Sequence, residues 1–165
     1  MDLDLGRLLR HLFTSPWAVK QTFPASALQA IEAAIANTER LHGGELRLAI
    51  EGSLDGPQLW HDITPRERAG EVFSQLRMWD TEANSGVLIY VLLADHAVEI
   101  VADRGHGDIS GNPDWLAACK TIESCFAKGD YEGGAVRGIE AVGKLIAERF
   151  PAVDRNELPN ATVLL

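Results

Sequence analysis

The chain has 165 residues, 46% of them hydrophobic, which is the size and apolar content of one domain with a core of its own. Its 24 acidic against 15 basic side chains give a net charge of −9, which repels a phosphate backbone and argues against nucleic acid as a partner. The longest apolar run, Gly86 to Ala94, falls short of the ~20 residues a bilayer crossing needs. The N-terminus opens on Asp2 and Asp4 rather than on a basic region, so no membrane span and a cytoplasmic location are expected.

Leu3, Leu5, Leu8, Leu9 and Leu12 have the spacing of one short amphipathic helix packing on the body and ended by Pro16. A second helix, Pro24 to His42, carries Leu28, Ile31, Ile35, Thr38 and Leu41 on one stripe and stops at Gly43-Gly44. Leu46 to Ile50 reads as a strand, followed by a turn at Asp55-Gly56-Pro57. Thr64-Pro65-Arg66-Glu67 is a capping box opening a helix to about Met78. Gly86 to Ala94, apolar throughout, fits a central strand covered on both faces, and Ala97 to Ala102 follows after a connection short enough only for an antiparallel hairpin. Asn112-Pro113 caps a helix with Trp115, Cys119, Ile122 and Phe126 inward, and a last helix carries Val136, Ile139, Val142 and Ile146 up to Phe150-Pro151. The tail from Ala152 to Leu165 is expected to fray, with docking on a partner or a sheet edge as the alternative.

Read as a two-residue turn, Asp95-His96 sets Leu88 opposite Asp103 and Asn84 opposite Gly107. Two acidic loops then meet, Asp80-Thr81-Glu82-Ala83-Asn84 and Asp103-Arg104-Gly105-His106-Gly107-Asp108. A right-handed parallel crossover brings the start of the first strand, with Glu45, to the same edge, and Glu39 ends the helix before it. A carboxylate there opposes the helix dipole unless a cation or Arg104 compensates it. Oxygen-bearing side chains converging on glycine-containing loops meet the demand of a hard cation such as calcium or magnesium. The other reading is that Asp80 and Asn84 are turn formers and that Asp103 and Arg104 form a surface ion pair, and no EF-hand spacing is present. Open α/β sheets more often bind ligands at the carboxyl ends of the parallel strands, here near Glu51 and Asp95, but the oxygen ligands are denser at the opposite edge.

Other chemistry is poorly represented. There is no Gly-x-Ser-x-Gly, no dinucleotide fingerprint and no Walker loop. Cys119 and Cys125 lack ligand partners at zinc spacing and any anion loop ending in arginine, so they read as small core residues. Of five histidines only His106 falls near the acidic loops, where it is a candidate ligand or proton carrier. Trp60, Trp79 and Trp115 read as core or rim packing.

The stretch from Trp79-Asp80-Thr81-Glu82-Ala83-Asn84-Ser85-Gly86-Val87-Leu88-Ile89-Tyr90 through Val98-Glu99-Ile100-Val101-Ala102-Asp103-Arg104-Gly105 resembles the TPM domain family, the thylakoid-lumen-phosphatase-like group. Gly44-Glu45-Leu46-Arg47, Arg66-Glu67-Arg68-Ala69 and Phe126-x-x-Gly129-Asp130-Tyr131-x-x-Gly134 extend the likeness over roughly Phe23 to Phe150. The resemblance implies a three-layer α/β/α sandwich on a small mixed sheet, with a hairpin at about 86–93 and 97–102. The chain then divides into an N-terminal helical extension at 1–22, a TPM-like domain at 23–151 and a tail at 152–165.

The same resemblance implies divalent-cation binding, calcium in some members, and acid-phosphatase-like activity in others. Carried onto this chain, the metal positions are Asp80, Asn84 and Asp103, with Glu45 supporting. In a phosphomonoester hydrolase built there, Arg104 would neutralise developing charge and Glu82 or Asp108 would serve as base. The alternative function is a non-catalytic domain whose cation orders two loops for a protein partner. Relatives often carry a signal peptide and a membrane helix, and neither is evident here.

Overall fold

The structure, a computed structural model, describes residues 4–152 and 159–165. Its elements in chain order are α1 (Leu5–Phe13), α2 (Pro16–Thr22), α3 (Ala25–Glu39), β1 (Glu45–Glu51), α4 (Gly56–Trp60), α5 (Pro65–Gln75), β2 (Gly86–Leu92), β3 (Ala97–Ala102), α6 (Pro113–Phe126), α7 (Tyr131–Arg149) and β4 (Val163–Leu164). The capping box at α5 closes as its sequence requires: the Thr64 hydroxyl accepts from Glu67 N–H, and the Glu67 carboxylate accepts from Thr64 N–H at 2.8 Å. The Asp55-Gly56-Pro57 turn opens a second box, which starts the short α4.

The sheet order is β3-β2-β1-β4. β1 and β2 are parallel, joined across one face by α4 and α5, while β2 and β3 form the antiparallel hairpin. Apolar side chains alternate between two cores. Leu46, Leu48, Ile50, Val87, Ile89 and Val91 pack with α3, α6 and α7, while Ala49, Leu88, Tyr90 and Leu92 pack with Ala69, Val72 and Phe73 of α5. This is the three-layer α/β/α sandwich on a mixed sheet, and β2 is buried at every position because both its faces are covered.

Three expectations change. The hairpin loop is Leu93-Ala94-Asp95-His96, four residues rather than two, and His96 takes a left-handed φ of 52° to close it. Leu88 therefore pairs with Val101, and Asp103 faces Gly86, its N–H donating to Gly86 O at 2.8 Å. At the N-terminus Pro16 starts α2 rather than ending one helix, since proline is suited to the first helical turn and Ser15 caps it. Finally, Val163–Leu164 of the tail adds to the sheet beside Ala49 and Ile50, with Leu165 N–H on Ile50 O.

The orientation of α1 also inverts the expected packing. Its polar side chains face the body, where Arg7 donates to Asp95, Asp62 and the Ile63 carbonyl at 2.6 to 3.3 Å. His11 is buried, with Nδ1 accepting from Leu54 N–H at 2.9 Å, which leaves Nε2 to carry the hydrogen it shares with Asp95 at 3.0 Å. Leu5, Leu9 and Leu12 are left exposed.

Candidate functional site

The parallel register sets Glu45 beside Gly86, and the hairpin sets Gly86 beside Asp103, so the three form one row across the strand starts of β1 and β2 and the end of β3. With strands ~4.8 Å apart, the outer two backbones are ~10 Å apart. The row shares the face covered by α5, and between Glu45 and Asp103 the place of a side chain at Gly86 is taken by the backbone of Met78. A Cβ at position 86 would fall 1.9 Å from the Met78 carbonyl oxygen, so the glycine lets the backbone entering the Asp80–Asn84 loop cross directly over the sheet edge. The two acidic loops do meet, with Asn84 now opposite Gly105, whose N–H donates to Asn84 O at 3.0 Å.

Asn84 holds a left-handed φ of 52°, a conformation asparagine tolerates, and its side-chain Oδ1 accepts from Arg104 Nε at 3.0 Å. Asp103 Oδ1 caps the 3₁₀ turn Arg104–His106 by accepting from Arg104 N–H at 2.8 Å. Asp103 Oδ2 is buried and has no hydrogen-bond partner among the described residues. Asp80 points elsewhere, into an exposed ion pair with Arg77 at 2.6 Å. Glu45 is buried in the strand row, Glu82 lies exposed on its loop, and Asp108 is exposed and accepts from Ser110 N–H, a bond that holds its carboxyl below the usual range. Among the described residues, no three His, Cys, Asp or Glu side chains converge tightly enough to hold a metal by themselves.

Behind the row, the edge is unusually polar for a buried region. Four of the six buried side-chain polar atoms without a partner among the described residues are Glu39 Oε2, His42 Nε2, Ser85 Oγ and Asp103 Oδ2, all at this end of the sheet. Such orphans are costly unless water or an ion satisfies them. Glu39 is not compensated by Arg104. Burial pushes its carboxyl up to about 7, Leu46 N–H pulls it back, nearby Glu45 pushes it up again, and the Asn160 side chain lowers it a little by hydrogen bonding. Burial also lowers His42, to about 4. His106 packs edge-on against Trp115 and Phe150 with Nε2 on Ser85 O at 3.0 Å, and its burial pushes its pKa down, so it is a packed core imidazole rather than a ligand on the acidic row. His42 and Ser85 carry no spacing signal in the sequence. His42 joins the edge where its Nδ1 accepts from Gly44 N–H, and Ser85 joins it as the residue that enters β2.

The opposite end of the parallel strands is filled. Arg68 forks onto both oxygens of Glu51 at 2.9 Å, and Tyr90 donates to Glu51 at 2.5 Å, all buried. Beside them, burial pushes the Asp95 carboxyl up, but bonds from Arg7 and His11 outweigh it and hold it low. Cys119 and Cys125 are free and half-buried, and burial pushes the Cys119 thiol up to about 12, so it is no nucleophile at neutral pH. Trp115 is buried, whereas Trp60 and Trp79 are exposed.

The TPM domain profile matches residues 19–145, most of the chain and every element of the sheet's first three strands. The chain belongs to the TPM domain family. A solved TPM-like neighbour, the BA42 protein of the psychrophilic bacterium Bizionia argentinensis, is 32% identical with a TM-score of 0.75, covering 87% of this chain and 95% of its own. The N-terminal domain of a protein from P. gingivalis (15% identity, TM-score 0.61, 80% of this chain and 82% of that one) shares the fold. So does the N-terminal domain of the cg2496 protein from Corynebacterium glutamicum (14%, 0.54, 81% of each). No curated protein sequence matches. Among the described residues, no helix is long and apolar enough to cross a membrane.

Proposed function

We propose that this TPM domain binds a divalent cation, calcium or magnesium, at the Glu45–Gly86–Asp103 row. The observation that carries the reading is the set of orphaned buried polar atoms at this edge, above all the open carboxylate oxygen of Asp103. The oxygens of the two loops are of the type a hard cation takes: Asp103 Oδ2, and beside Gly105 the Ala83 and Asn84 carbonyls, while the Asn84 amide oxygen already accepts from Arg104 and would join only by releasing it. Asp80 and Glu45 supply flanking negative charge, and Asp80 would join only by leaving Arg77. A bound cation would neutralise local charge and polarise a phosphate oxygen and a water.

Phosphomonoester hydrolysis is the activity proposed at this corner. Arg104 is exposed beside Asp103 with its Nε already fixed by Asn84, which orients the guanidinium toward an anionic group at low entropic cost. Glu82 or Asp108 would take the proton, both on loops that border the corner. The separateness of these carboxylates, with Asp80 paired to Arg77 and Asp108 to Ser110 N–H, favours a second reading in which the cation orders the loops for a protein partner without catalysis.

Calorimetric titration of calcium and magnesium into chelator-treated protein tests the site. At a hundredfold excess over Kd, stabilisation of about 2.7 kcal/mol should raise the melting temperature by roughly 5–10 °C, and Asp103→Asn should abolish the rise. Absence of both heat and shift refutes cation binding. Turnover of phosphomonoesters that Asp103→Asn removes supports the hydrolase, and binding without turnover supports the interaction domain.

A further inference from the structure

β3 is an outer strand of the sheet, and only one of its edges is paired. The Asp103 N–H on Gly86 O fixes which of its residues bond to β2, because antiparallel pairs alternate between bonded and unbonded. Ala97, Glu99 and Val101 fall in the bonded set, so Val98, Ile100 and Ala102 turn their N–H and C=O groups away from the sheet. Two side chains stand where a further strand would be. Glu123 of α6 accepts from Val98 N–H at 3.2 Å, and Arg66 of α5 donates to the Ile100 carbonyl. The Ile100 and Ala102 N–H groups have no partner among the described residues. Beside them lies a cavity of about 190 Å³ walled by Arg66, Ile109, Trp115, Leu116 and Cys119, with Leu116 half exposed.

We infer that the outer edge of β3 is a docking groove for an extended peptide segment of a protein partner, which adds to the sheet as a new strand between α5 and α6. The row of outward backbone groups selects this occupant: they recur every second residue, ~6.8 Å apart, a spacing that another strand matches and no compact ligand does. The sheet already takes a strand in this way at its opposite edge, where Val163–Leu164 adds beside Ala49 and Ile50. Edges closed against partners carry proline, lysine or a bulge, and Ala97–Ala102 has none of the three, its register with β2 being unbroken. Both stand-ins are the tips of long side chains, that of Arg66 48% exposed, so an incoming strand displaces them without unfolding a helix. The groove also sets the chemistry of the segment. Side chains at alternate positions would lie beside Ile100 and reach the cavity against Ile109, Trp115 and Leu116, which suits apolar residues. Along the edge Glu99 and Glu123 outnumber Arg66. Burial pushes the Glu99 carboxyl up, Arg66 pulls it down and Glu123 pushes it up again, so basic residues flanking the segment would relieve the pair.

The test is an NMR titration of the full isotope-labelled chain with a capped peptide of alternating valine and threonine flanked by lysines, run in chelator so that the outcome does not depend on the cation site. At saturation the Ile100 and Ala102 amides should shift and exchange about tenfold more slowly, while Glu99 and Val101, already bonded to β2, change little. Leu116→Glu, at the exposed wall of the cavity, should keep its melting temperature and raise the Kd about tenfold. Ala102→Pro removes one outward donor, leaves the ladder to β2 intact and should weaken binding to a similar degree. The inference is overturned if a millimolar excess of peptide leaves the β3 amides unmoved, if either variant binds it as wild type does, or if the shifts fall instead on Ala49 and Ile50 at the β1 edge.

Discussion

Replacing Glu39 with glutamine isolates the electrostatic cost of the polar edge. Glu39 ends α3, accepts from Leu46 N–H at 3.2 Å through Oε1, buries Oε2 and feels the like charge of Glu45. Its carboxyl titrates near 4.5 in the unfolded chain and near 7 in the fold. Below pH 4.5 both states hold the proton and nothing is lost. Between 4.5 and 7 the fold retains a proton the unfolded chain has released, so stability falls as pH rises, and above 7 the whole cost remains. At about 1.4 kcal/mol per pH unit the span gives roughly 3 kcal/mol, and partial solvent contact reduces this to about 1–2 kcal/mol. His42 runs the other way. Burial lowers it from 6.5 to about 4, so the unfolded chain takes up a proton the fold refuses, and stability rises with pH across that window. The two slopes oppose each other between pH 4.5 and 6.5 in the wild type. Glu39→Gln keeps the acceptor for Leu46 and removes the charge, so urea unfolding should find it more stable by about 1–2 kcal/mol at pH 8 and unchanged at pH 4, with the slope of His42 uncovered. A variant no more stable at pH 8, or equally stabilised at both pH values, refutes the reasoning.

Arg68→Met should cost about 3–5 kcal/mol in urea unfolding, because it leaves Glu51 charged and buried, while the triple Arg68→Met, Glu51→Leu, Tyr90→Phe should recover most of the loss. Gly105→Ala should cost about 2–3 kcal/mol in melting experiments, since its Cβ would meet the Asn84 and Ala83 carbonyl oxygens at 2.4 and 2.7 Å. Asp95→Asn should free α1 from Arg7 and His11, seen as faster amide exchange at Leu54 without loss of global folding. Truncation before Thr162 should remove β4, expose the edge of β1 and lower stability by about 1–2 kcal/mol.

What the sequence reveals depends on how far apart the deciding partners are. Caps and strand patterns are local, so Thr64-Pro65-Arg66-Glu67 and Gly86–Leu92 could be read directly, and together they fix the crossover that brings Glu45 to the edge. The hairpin register depends on a loop whose length the apolar run Gly86 to Ala94 conceals, because Leu93 and Ala94 are apolar but belong to the turn. The slip is two residues rather than one. Side-chain period in a strand is two, so the faces survive and the acidic loops still meet, with Gly105 rather than Gly107 opposite Asn84.

The orientation of the N-terminal helix is hidden from the sequence for a different reason. Periodicity tells which side chains share a face of α1, but which face looks inward is set by Asp95, 84 residues beyond His11. The amphipathic rule assumes that the apolar face is the docked one, and here the polar face docks instead, through Arg7 and His11 on Asp95 in the hairpin loop. A leucine stripe at a chain end is therefore ambiguous between core and surface until its polar side is examined for partners. In this chain the polar side has them, and the apolar side is the one left exposed.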